Sequence, residues 1–148
     1  MKSTFRSLSA AAVAALAVSA CGIIGPDHDW ELIPAVLLQT EQGPAVATPA
    51  TAKAKAAFAV EIMTIGGGCE REGITEVVVN QQTRTAEITP LDYTDAAADV
   101  CTEELKTFRH TAQIAFDTPG PATIRVYHHL DTPTFARPEV TRTVQITE

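Results

Sequence analysis

Three cysteines, four histidines and no serine beyond residue 20 limit the chemistry open to this chain of 148 residues. His128 and His129 are adjacent and Asp131 follows, all metal-ligand residue types. In an extended strand, however, consecutive side chains point to opposite faces, so neighbouring imidazoles converge poorly on one ion. They are expected to form a solvated strand end. His110 falls in an alternating row with Ala112, Ile114 and Phe116, where a core or edge histidine with its hydrogen bonds satisfied is the expectation rather than a base. Glu103-Glu104, and Asp95 with Asp99, are carboxylates of the kind used in acid and base catalysis. Their stretch lacks periodicity, and they are expected to solvate a loop. The missing serine removes a serine nucleophile, and Gly66-Gly67-Gly68 precedes neither a helix nor a Lys-Ser/Thr pair, so it is no phosphate cradle. No catalytic residue, metal site or cofactor is expected.

The cysteines say more about address than about chemistry. Lys2 and Arg6 form a positive head, and Leu8 to Ala20 a small-residue apolar stretch too short to span a bilayer as a helix. Residues 1–20 therefore read as a signal peptide. Val18-Ser19-Ala20-Cys21 resembles the bacterial lipoprotein signal, in which the cysteine is diacylated and becomes the new N-terminus. That resemblance implies lipidation at Cys21 and a cell-envelope location; an ordinary secretory signal is the rival reading. Gly22 rather than aspartate follows, which by similarity to the enterobacterial sorting rule implies the outer membrane if the organism has one. With Cys21 set aside the count is even, and in an exported chain Cys69 and Cys101 are expected to form a structural disulfide. Across 32 residues it is worth roughly 3 to 4 kcal/mol in the chain-entropy model. Neither cysteine has the Cys-X-X-Cys spacing of a redox pair, nor a partner at zinc-ligand spacing.

Removal of Lys2 and Arg6 with the signal leaves 9 basic against 18 acidic residues, a formal charge of −9. This balance argues against nucleic acid and against an electrostatic hold on anionic lipid. Residues 21–29 read as a lipidated tether and 30–148 as one domain.

Within that domain period 2 dominates. Leu32 to Gln39 is expected as an edge strand broken near Pro34, Pro44 to Thr48 as a short strand, and Ala50 to Ala57 as loop. Phe58, Val60, Ile62 and Thr64 share one strand face. Thr75 to Asn80 and Arg84 to Thr89 flank a polar turn as a hairpin. Residues 90–107 look irregular, with room for a turn or two of helix over Asp95 to Lys106. Thr118-Pro119-Gly120-Pro121 is a sharp turn, and inward rows follow at Ala122, Ile124 and Val126 and at Val140, Val144 and Ile146.

Seven or eight short strands without an amphipathic helix predict an all-β, antiparallel sandwich. "FDTPGPATIRVYHHL" followed by "EVTRTVQITE" resembles the last two strands of immunoglobulin-like bacterial surface domains. "AAFAVEIMTIGGGCEREG" with "VCTEELKTFRHTAQIAFDTPGPATIRV" resembles uncharacterised bacterial lipoproteins, over roughly residues 44 to 147. The antibody-type Cys…Trp…Cys core is absent, because Trp30 precedes both cysteines. The resemblance implies a fold and an address but no function; the lack of a convergent chemical motif favours a lipid-tethered, non-catalytic binding or structural module whose loops face an envelope protein, peptide or polysaccharide. The alternative is a small periplasmic inhibitor or metal-handling protein using residues 90–107 or His128 and His129.

Overall fold

The computed structural model describes residues 28–128 and 139–148. All regular structure there is strand: β1 (Trp30–Pro34), β2 (Val36–Leu37), β3 (Gln39–Thr40), β4 (Gly43–Pro44), β5 (Val46–Ala47), β6 (Thr51–Lys53), β7 (Phe58–Gly66), β8 (Glu70–Asn80), β9 (Thr85–Asp95), β10 (Lys106–Ile114), β11 (Gly120–Tyr127) and β12 (Glu139–Thr147). In the first sheet β9 is the hub. One edge carries β8, while its other edge pairs with β11 through Thr85 to Ile88 and with β1 through Leu91 to Asp95. The order runs on through β12 to β6. In the second sheet β7 lies between β10 and an edge shared by β2 and β5; β3 and β4 pair separately.

The inward rows fall where period 2 puts them. Val60, Ile62, Ala112, Ile114, Ala122, Ile124, Val126, Val144 and Ile146 are almost wholly buried and join one core with Ala86 and Ile88, so both sheets contribute to it. Phe58 and Phe116 meet there with ring centroids 6.3 Å apart. Gly120 turns the chain at a φ of 130°, open to glycine at little cost, and the Arg84 side chain occupies the space a Cβ would enter. Arg84 donates from Nε to the Pro121 carbonyl, and Thr123 N donates to the Arg84 carbonyl, stitching this turn to the β8–β9 hairpin.

Several expectations need correction. The β8–β9 hairpin is longer than its apolar pattern suggested: β8 starts at Glu70, and β9 continues through Pro90 to Asp95, because backbone pairing with β8 and β1 carries the strand past Pro90 and Asp92. Within residues 90–107, irregular structure is thus limited to 96–105, which hold no helix. Part of the Ala50 to Ala57 segment is strand, since Thr51–Lys53 pairs in parallel with β12. Two parallel pairings, β9 with β11 and β6 with β12, make the first sheet mixed rather than purely antiparallel. Among the described residues twelve strand segments stand where seven or eight were expected, because residues 30–53 break into short pieces.

β12 joins β11 to β6, and its Val140, Val144 and Ile146 are 7%, 0% and 1% exposed. Each contributes roughly 1.5 to 3 kcal/mol of transfer free energy. Deletion of residues 139–148 is therefore expected to abolish the cooperative melting transition followed by circular dichroism; a small shift would mean that β12 is a dispensable tail.

Candidate functional site

Three buried polar side chains, Thr64, Asp92 and His110, lie together in the core with the half-buried Thr75, on four strands drawn from both sheets. His110 on β10 donates from Nε2 to Asp92 Oδ1 on β9 at 2.9 Å, and Thr64 on β7 donates from Oγ1 to Asp92 Oδ2 at 2.9 Å. His110 Nδ1 meets Thr75 Oγ1 on β8 at 3.3 Å. His110 and Asp92 are each 2% exposed and Thr64 0%, and among the described residues no buried side-chain polar atom is left without a partner. Thr75, His110 and Asp92 copy the connectivity of a nucleophile, base and orienting carboxylate. A substrate atom cannot reach an imidazole so enclosed. The arrangement instead joins the sheets, since Thr64 and His110 belong to one and Asp92 and Thr75 to the other.

His110 is thus the satisfied core histidine its row implied. Asp92 went unrecognised in the sequence because Pro90 and Asp92 look like a loop. The usable signal was alternation continued from Ala86 and Ile88, which puts residues 90 and 92 on the buried face.

The second assembly is at the end of the fold where the described chain begins. Cys69 and Cys101 are disulfide-bonded, as the cysteine count implied. Thr102 O accepts from Gly68 N, Lys106 Nζ donates to Gly68 O, and a Cβ on Gly68 would collide with Thr102, so loop 96–105 is held close against residues 66–69. At its start the Asp95 carboxylate binds His28 Nδ1 and accepts from the backbone N–H groups of Asp29 and Ala97. The His28 hydrogen bond, ahead of the two backbone donors, holds the Asp95 carboxyl below its ordinary value of 3.8. The rest of the loop is open: Val100 is 87% and Leu105 80% exposed, and Asp99, Glu103 and Glu104 are exposed beside them. These acids solvate the loop as expected, whereas Asp95 braces it.

On the outer face of the first sheet the Arg71 guanidinium lies over the Trp30 ring at 3.9 Å and the Tyr93 ring at 4.8 Å, and His28 stacks on Trp30. Nothing in the sequence marked these residues, because the register β1–β9–β8 brings them together from positions far apart in the chain.

His128 is buried rather than solvated, at 9% exposure. Cys21, His129, Asp131 and the signal segment lie outside the described residues. Among the described residues no three His, Cys, Asp or Glu side chains gather as a metal-ion group.

Two predictions follow from this geometry. Asp92→Ala leaves His110 and Thr64 buried without their acceptor and is expected to destabilise the fold by about 3 kcal/mol in urea unfolding. Asp92→Leu combined with His110→Leu should lose much less, and equal losses would refute the clasp. The lowered Asp95 pKa means that the stability its bonds contribute is fully present above the unfolded value of 3.8 and is lost below it, as pH falls through the lower folded value. Amide exchange at Asp29 and Ala97, corrected for intrinsic rates, should accelerate only below pH 3.8, and Asp95→Asn should remove that pH dependence.

No family model, curated protein or solved structure matches the chain.

Proposed function

We propose that the chain is a lipid-anchored, non-catalytic module of the bacterial cell envelope, an immunoglobulin-like β-sandwich held to the membrane through Cys21. Where the organism has an outer membrane, that is its address. The sandwich reading draws support from the core shared by the two sheets and from the antiparallel β11–β12 pairing after the proline-glycine turn. The partner is the bilayer, together with an envelope protein, peptide or polysaccharide.

The observation that carries a display role is the braced loop 96–105. Val100 and Leu105 are 87% and 80% exposed while the disulfide, Gly68 and Asp95 restrain the backbone around them. Apolar side chains held in the open on a restrained loop suit contact with another surface, at a lower ordering cost than a floppy loop would carry. A catalytic role finds less support, because His110 and Asp92 are enclosed in the core. The metal-handling alternative lacks three gathered ligand side chains among the described residues.

Cys21→Ala tests the anchor. The variant is expected to leave the membrane fraction for the soluble fraction of a detergent-free, high-salt lysate, with an unchanged melting curve. Retention in the membrane fraction would end the lipoprotein reading.

A further inference from the structure

The large apolar side chains that stay exposed are unevenly placed. Among the described residues these are Leu32, Ile74, Val78, Val100 and Leu105. All but Val78 lie at or near the end where the described chain begins. Leu32, Tyr93 and Arg71 form one row across β1, β9 and β8, and Pro34, Leu91 and Ile74 the next. Loop 96–105 leaves β9 beside Trp30, with Ala96 N donating to the Asp29 carbonyl at 2.7 Å. One end therefore carries two aromatic rings with a cation stacked on them, exposed aliphatic groups beside them and a braced loop bearing two more.

What covers this surface is argued from the chain that precedes it. Eight peptide steps separate Cys21 from Asp29, a reach of at most about 28 Å however those residues run. An acyl chain on Cys21 would hold Trp30 and its neighbours within about one hydrocarbon thickness of the lipid. A weak partition of this end into the interface then becomes intramolecular, and small gains suffice. Tryptophan and tyrosine favour the headgroup layer, where a ring is half solvated and its polar edge stays wet. The charge selects the lipid: Asp29, Glu31, Glu72, Asp99, Glu103 and Glu104 are exposed near this surface, so an anionic bilayer repels it. Arg71 offers a cation to a zwitterionic headgroup phosphate.

We propose that Trp30, Leu32, Ile74, Tyr93, Val100 and Leu105 form a surface that rests in the headgroup layer of a zwitterionic bilayer, so that the domain lies against its membrane. The inference rests on lipidation at Cys21.

Trp30 is the only tryptophan of the chain, so its fluorescence reports on this surface alone. The probe is the full lipidated protein in phosphatidylcholine vesicles, some with acyl chains brominated near the headgroup. The expected result is a chain that floats with the vesicles, with Trp30 quenched by the brominated lipid and shielded from aqueous iodide. Leu32→Gln, Val100→Asp and Leu105→Asp should each reduce that quenching at least twofold. Val78→Asp, at a site 65% exposed on the other half of the sheet, should leave it unchanged. All four side chains are exposed, so melting curves should coincide with that of the parent. Replacing part of the phosphatidylcholine by phosphatidylglycerol should weaken the quenching, and a rise would overturn the choice of a zwitterionic surface. A chain that floats while Trp30 is open to iodide and untouched by brominated lipid overturns the inference and leaves the anchor standing. A chain that fails to float overturns both.

Discussion

The bond between His110 and Asp92 constrains how the two sheets can meet. Burying an imidazole and a carboxyl costs several kcal/mol per ionised group unless each finds a partner, and here each finds its partner across the core. Thr64 takes the second carboxyl oxygen and Thr75 the second ring nitrogen. A slip of one residue in β9 would send Asp92 to the outer face and strand His110, so the clasp acts on register as well as on stability. The apolar core around it has no such directional demand: Val60, Ile62, Ile88 and Ile124 are held by shape and area alone.

β9 is the element through which this constraint spreads. It pairs with β8 along one edge and divides the other between β1 and β11. Its inward residues therefore complete the core and the clasp, while its outer face carries Leu91 and Tyr93. Its last residue, Asp95, braces the loop that follows. The same strand thus links the buried polar centre to the surface proposed for contact. The disulfide joins the residue just before β8 to the loop just after β9, closing this hairpin at its open end.

Under the proposed anchor the distribution of charge acquires a purpose. A mature chain with a formal −9 gains nothing electrostatically from anionic lipid, so attachment falls to acyl chains and apolar contact. Acids on loop 96–105 keep Val100 and Leu105 soluble without covering them. Arg71, stacked on Trp30 and Tyr93, keeps its guanidinium beside the aromatic faces, where cation–π attraction offsets part of its lost freedom.

The amino-acid order by itself determined the strands with unbroken alternation. The inward rows of β7, β10, β11 and β12 follow from period 2, because a half-buried strand must repeat at that interval, and the disulfide follows from an even count once Cys21 is set aside. The Pro119-Gly120 turn is likewise local, since only its own φ angles are at issue. Tertiary structure alone decided the rest. Residues 90–95, interrupted by Pro90, Asp92 and Asp95, became strand because β8 and β1 supply backbone partners on both edges. Thr51–Lys53 became strand because β12 lay alongside it. Asp92 became a core residue because His110 and Thr64 offered it hydrogen bonds, and a buried carboxyl is readable only when its partners are known. Trp30, Arg71 and Tyr93 became one cluster through sheet register, a long-range pairing that no local pattern encodes.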